Sequence, residues 1–346
     1  MYILERLRKA MRRRINRRCR DPIEQHMIVV SFINNIAGLI GMHVFSADYS
    51  ATNPLFVVVL IDVFLFFCVN LYTLIISFGD LVNFMFCFET ILYAGIAFIK
   101  IDVFVRHYKT IHELNHFLIE FNRRYRHDPE QRELLMSNTV DLWLLIAVFN
   151  ICTFVAPILI FSYSLVWTVT IDYVLPFGFL LPTIGFDYFR GFVMNYLFQL
   201  LEACLLVPGL MGAMTSIMMF LMNACLQIDM LQLELKRLSK FCAANIDGQH
   251  TVEIRKRIHE IIDHHIEHLV YIKKVCSLFE LHFFVVLGCI FCQLVSIVVV
   301  VVKIDMLQLE LKRLGNLCTE NSEGQQNVEI RKSIHEIIQH HIEHLV

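Results

Sequence analysis

Five stretches of this chain stay apolar for about as long as a lipid bilayer is thick: residues 54–78, 81–101, 141–165, 190–226 and 283–302. A helix needs about 20 residues to cross the hydrocarbon core. Inside lipid every backbone amide must find its partner within the protein, so uninterrupted runs of this length fold as helices. The predicted fold class is all-α, a polytopic membrane helical bundle with five full spans. Composition agrees. The chain is 57% hydrophobic and 18% charged, with mean hydropathy +0.58, whereas soluble domains are about half apolar and a quarter charged.

Charge sets the expected topology. Residues 1–26 form a basic tail carrying Arg6, Arg8, Lys9, Arg12, Arg13, Arg14, Arg17, Arg18 and Arg20. The loop after the second span holds Arg106, Lys109, Arg123, Arg124, Arg126 and Arg132, and the segment after the fourth holds Lys236, Arg237, Lys240, Arg255, Lys256 and Arg257. Residues 166–189 contain no Lys or Arg. Loops rich in Lys and Arg stay cytosolic, so the tail and both basic segments are expected inside and residues 166–189 outside. A shorter apolar stretch, 27–45, carries Asn34, Asn35 and His43. If it also crossed, every later loop would lie against its charges, so it is expected to be a re-entrant or surface helix. Ile3, Leu4, Leu7, Met11 and Ile15 share one helical face, which suits a tail lying on an anionic inner leaflet of the lipid bilayer. No small-residue cleavage site follows the first apolar run, so no removed signal peptide is expected.

One block of sequence occurs twice. Residues 228–270 and 304–346 are roughly three-quarters identical, beyond what chance gives. The expected organisation is a basic tail (1–26), a membrane domain (27–302) with a cytosolic helical block at 227–275, and a duplicated copy of that block (303–346). Parity puts the second copy on the opposite side of the bilayer from the first, where the same polar contacts are not available.

No catalytic constellation is present, and no enzyme activity, metal or cofactor is expected. His259-Glu260-Ile261-Ile262-Asp263-His264 is one residue too long for a zincin motif. His264 and His268 have the i, i+4 spacing of a metal pair, with Glu260 or Glu267 nearby, but read as the solvated face of an amphipathic helix. The 11 cysteines lie in apolar or cytosolic stretches, which is no disulfide framework. A basic tail next to membrane spans is explained by topology, so nucleic acid is not an expected partner. A transporter would repeat a helix set, whereas here only a polar block is repeated.

Three segments carry a resemblance. Residues 80–101, DLVNFMFCFETILYAGIAFIKI, resemble the second transmembrane segment of insect odorant receptors. Residues 175–199, LPFGFLLPTIGFDYFRGFVMNYLFQ, resemble that family's outer loop and following span. The block beginning LQLELKRL and running through the Ile/His-rich helix to Phe279 resembles its segment between the fourth and fifth spans. The resemblance covers residues 27–302, and gustatory receptors are similar. It implies a seven-span, ligand-gated cation channel subunit that binds small volatile odorants and assembles with a common co-receptor, as a tetramer, in the plasma membrane of sensory neurons. It also implies a pocket in the outer halves of the first spans, an anchor bundle at the cytosolic helix ends, and a pore lined by the seventh span.

The chain departs from that pattern after its fifth span, where the block recurs. A truncated transcript or a fusion of neighbouring genes would produce this, and the chain is expected not to conduct ions alone. The alternatives are a pore-less membrane protein that only assembles with partner receptors, or a gustatory-type receptor.

The expected ligand site follows from the topology. Tyr72, Phe84, Phe86, Phe88, Glu89, Phe154, Phe161, Tyr163, Tyr196 and Phe198 fall in or near the outer halves of their spans. Together they suit a pocket for volatile apolar molecules with few polar groups. Asp62, Glu89 and Glu202 are intramembrane carboxylates, either site residues or structural hydrogen-bond partners between helices. Pro157 and Pro208 are expected to kink their spans and open space between helices.

Overall fold

The computed structural model describes residues 2–18, 21–46, 52–79, 81–244 and 251–320, with main chain alone beyond residue 298. Among these residues there are eight helices and no strand: α1 (Tyr2–Arg18), α2 (Pro22–Gly38), α3 (Pro54–Ile76), α4 (Leu81–Arg106), α5 (Tyr108–Tyr125), α6 (Pro129–Thr170), α7 (Phe189–Ala244) and α8 (Thr251–Glu320). Five helical stretches are long and apolar enough to cross a membrane: Pro54–Ile76, Asn83–Arg106, Pro129–Thr170, Phe189–Ala244 and Val252–Cys292. The protein is an all-α polytopic membrane bundle. The side chains of the second copy, 304–346, lie outside the described residues.

Helix starts follow local chemistry. Proline opens α2, α3 and α6, where its missing N–H would have had no partner. Asp128 caps α6: its Oδ1 accepts from the N–H groups of Glu130 (3.0 Å) and Gln131 (3.1 Å). Arg237 of α7 then pairs with Asp128 and Glu130, each at 2.7 Å. The Arg237 hydrogen bond, with those cap bonds, holds the Asp128 carboxyl below its ordinary range. Pro157 and Pro208 lie inside α6 and α7 without ending either helix.

The chain divides into two units. The first comprises Met1–Ile61, Ala97–Ile160 and Ala203–His282. Its core is the cluster Phe121, Tyr125, Leu135, Leu226 and Met230, which joins α5, α6 and α7. On α5, Ile111, Leu114, Leu118, Phe121 and Tyr125 recur at helical spacing and are all buried. The short helix α2 packs on α5, where buried His26 Nε2 meets Asn115 Oδ1 at 2.9 Å. At Gly212 of α7 a Cβ would stand 3.0 Å from the Ala37 Cβ, so a small residue there lets α2 approach closely. The chain leaves α2 through Gly41, with φ of +76°, where a Cβ would lie 2.6 Å from the Phe56 amide nitrogen.

A polar seam joins α7 to α8 in the same unit. Phe220, Gln227 and Glu234 recur every seven residues on α7. Tyr271, His268 and His264 meet them in antiparallel order. The Tyr271 hydroxyl donates to the Phe220 carbonyl at 2.9 Å, His268 Nδ1 lies 3.1 Å from Gln227 Oε1, and His264 Nδ1 lies 2.9 Å from Glu234 Oε2. This corrects the solvated-face reading of the histidines: His264 is 4% exposed and His268 3%. The α7 helix continues past its apolar stretch and covers them, which periodicity in α8 alone does not reveal. Half-exposed ion pairs rim the seam, with Arg124 on both Glu267 oxygens (2.7 and 3.3 Å) and Lys274 on Glu113 (2.9 Å). Exposed pairs of this kind contribute about 0–1 kcal/mol each.

The second unit comprises Asp62–Ile96, Phe161–Glu202 and Phe283–Val346. It is built around residues 171–188, the only long stretch without helix among the described residues.

Two predictions follow from the first unit. Gly41→Ala should destabilise the protein by at least the roughly 1–2 kcal/mol of forcing a side chain into left-handed backbone, with the Phe56 contact adding to it. A lowered thermal midpoint in detergent reads this out. Burial lowers the pKa of His26 from its ordinary 6.5, and the Asn115 hydrogen bond raises it by less. The unfolded chain therefore takes up a proton first as pH falls, and stability drops below about pH 6.5. His26→Gln should flatten the fall in thermal midpoint between about pH 7.5 and 5. An unchanged slope would remove His26 as a contributor.

Candidate ligand site

Residues 171–188 link α6 to α7 without forming helix. Pro176 and Pro182, with Gly178 and Gly185, oppose helix there. Backbone amides that cannot pair along a helix need other partners, and where the loop is buried side chains can supply them. Helical residues of the second unit supply them. Gln199 of α7 accepts from the Phe177 N–H at 2.9 Å and donates to the carbonyls of Phe177 (3.0 Å) and Phe179 (2.8 Å). Asn195, one turn earlier, accepts from the Leu181 N–H at 2.7 Å and donates to the Ile184 carbonyl at 3.2 Å. Thr73 of α3 accepts from the Leu180 N–H at 2.9 Å. Ser164 of α6 donates to the Val174 carbonyl. The loop also rests on Gly191, where a Cβ would meet the Gly185 carbonyl oxygen at 1.8 Å.

Seated this way, the loop inserts aromatic rings among those of the helices. Phe179 is 1% exposed. It meets Phe66 of α3 edge to face (5.2 Å), Phe198 of α7 edge to face (6.1 Å) and Phe177 stacked (5.9 Å). Phe177 meets Phe161 of α6 at 5.7 Å, and Phe161 meets Tyr196 at 5.3 Å, both edge to face. Phe192 adds to Tyr196 at 5.7 Å. The Tyr196 hydroxyl donates to the Phe161 carbonyl at 3.3 Å. These offset and edge-to-face arrangements are the favoured ones for ring pairs.

The structure brings three of the sequence candidates together: Phe161, Tyr196 and Phe198, joined through the loop rings. Phe84 and Phe88 stack on each other along α4 with ring centroids 6.5 Å apart, half-buried. Glu89 follows them, also half-buried. Tyr72 is on an exposed position of α3. Tyr163 is 60% exposed and packs on Trp167 at 5.8 Å. Phe154 belongs to the first unit and is 59% exposed on α6. The Phe86 side chain lies outside the described residues.

Sequence reasoning did not single out Phe66, Phe177, Phe179, Phe192, Thr73, Asn195 or Gln199 for this cluster. A signal was available. Phe192, Asn195, Tyr196 and Gln199 are spaced i, i+3, i+4 and i+7, so aromatic and carboxamide side chains share one face of an apolar span. Glu202 lies three residues further on. It is buried and faces Asp62 of α3. No three His, Cys, Asp or Glu side chains among the described residues are grouped to hold a metal ion.

Rings packed edge to face around one phenolic hydroxyl suit dispersion contacts with an apolar molecule. Replacing Gln199 with Leu keeps its bulk and strips three hydrogen bonds from the loop, each worth about 1 kcal/mol net. Amide exchange over residues 173–181 should accelerate at least tenfold while exchange over α5 stays unchanged. Equal rates in the loop would show that Gln199 does not hold it.

The family model described as 7tm Odorant receptor matches residues 77–300. No curated protein matches the chain.

Proposed function

The chain belongs to the insect odorant receptor family, and we propose that it is a receptor subunit that binds a small volatile odorant among the aromatic side chains held by residues 171–188. The observation that carries this reading is the cluster of Phe66, Phe161, Phe177, Phe179, Tyr196 and Phe198, all but Phe66 within the matched stretch. Glu89, Phe84 and Phe88 on α4 and Tyr72 on α3 extend the candidate surface for ligands with a polar end. Occupancy would gate a cation channel formed with a co-receptor in a hetero-oligomer, a tetramer by family resemblance. The receptor would sit in the plasma membrane of sensory neurons with its amino terminus in the cytosol. The Lys and Arg of α1, α5 and the α7–α8 segment, against their absence from residues 166–189, support that orientation.

The test is co-expression with a co-receptor in a cell without other receptors, recording odorant-evoked current. An odorant that activates the unsubstituted receptor should need at least tenfold higher concentration after Phe198→Ala or Tyr196→Phe, with surface delivery unchanged. Val58→Ala, on an exposed face of α3, should leave the dose–response curve in place. Identical curves for all three variants would remove the aromatic cluster as the odorant site.

A further inference from the structure

Sequence periodicity gives the apolar side of α1 to lipid, and the structure gives part of that side to the protein instead. Arg8 pairs with Asp141 and donates to Ser137 Oγ at 3.1 Å, and Arg12 pairs with Glu133. Glu133, Ser137 and Asp141 are spaced by four, one ridge of α6. Between the two arginines, Met11 packs on the buried pair Met136 and Val140, beside Trp143. The helices run antiparallel, because Arg8 meets the later acid and Arg12 the earlier one. Leu7 is left exposed.

This docking fixes what the other side of α1 presents. Arg6, Lys9 and Arg13 follow i, i+3 and i+7, a single stripe turned away from Met11. Lys9 and Arg13 are exposed. In the sequence Arg17 and Arg20 continue the same spacing. The one acid on α1, Glu5, is exposed too, so the face keeps a positive surplus. Its height is set by α6. Asp141 stands where α6 turns apolar, and Trp143 is of the residue type enriched at the membrane–water boundary. At about 1.5 Å of rise per residue, Lys9 and Arg13 stand within about a Debye length, 8–10 Å, of the level of Asp141.

We propose that this outward stripe of α1, with Lys9 and Arg13 at its centre, binds anionic lipid headgroups, while Arg8, Met11 and Arg12 hold the helix to α6. An anionic surface is the partner that the position favours. It is continuous, it lies at the height where α1 is pinned, and it is complementary to a stripe of one charge sign. The helix would then report the lipid composition of its leaflet to the start of α6. Pairing with an acidic protein segment would use the same charges but would be indifferent to the lipid.

The test uses the whole chain reconstituted in nanodiscs of phosphatidylcholine, with or without about a third phosphatidylserine, and reads amide exchange over α1 by mass spectrometry. Each basic side chain near an anionic surface contributes about a fivefold preference. Lys9 and Arg13 together should account for about a twenty-five-fold slowing in the serine lipid, reversed by high salt. Lys9→Gln with Arg13→Gln should abolish the lipid dependence while α5 exchange stays the same. Lys9→Arg with Arg13→Lys should restore it. Equal exchange in the two lipids overturns the proposal, as does a lipid dependence that survives the double glutamine variant.

Discussion

A buried peptide group with no hydrogen-bond partner costs about as much as a lost hydrogen bond, roughly 1–3 kcal/mol, and residues 171–188 depend on how that cost is avoided. Their prolines and glycines keep them from helix, so their N–H and C=O groups turn to Gln199, Asn195, Thr73 and Ser164. The three carboxamide bonds of Gln199 converge on Phe177 and Phe179. Those are the loop residues whose rings reach Phe66, Phe161 and Phe198. Satisfying the backbone and placing the aromatic side chains are thus one event.

The first unit solves a similar problem differently. Its helices continue as helices beyond their apolar stretches, so their backbone is already paired, and the buried polar atoms belong to side chains. The α7–α8 seam matches Gln227, Glu234 and the Phe220 carbonyl to His268, His264 and Tyr271 at heptad spacing. A slip of one residue would leave buried polar groups without partners, so the seam sets register more than it adds stability. The Asp128 cap, clamped by Arg237, ties the start of α6 to the end of α7 in the same unit.

The fold class was legible in the sequence because apolar length is a direct measure of bilayer crossing, and all five expected spans have a counterpart among the helices that qualify. Helix ends were not. Hydropathy places the third span at 141–165, whereas α6 runs Pro129–Thr170, because a helix continues in water wherever caps such as Asp128 and ion pairs support it. The burial of His264 and His268 was hidden for the same reason, since their cover comes from the polar extension of α7. Of the candidate site, Phe161, Tyr196 and Phe198 came from their positions in the spans. Phe177 and Phe179 did not, since a loop between spans reads as solvent-exposed until its backbone partners are known. The docked side of α1 was equally hidden, because an amphipathic face does not say whether lipid or protein covers it.

Covalent capture of the ligand tests the central claim most directly. An activating odorant carrying a small photoreactive diazirine would be cross-linked to the receptor in membranes, and the labelled peptides identified by mass spectrometry. The account predicts labels within residues 161–202, at or beside Phe161, Phe177, Phe179, Tyr196 and Phe198, suppressed by an excess of the unmodified odorant. Competable labels confined to the first unit, with none in 62–96 or 161–202, would contradict it.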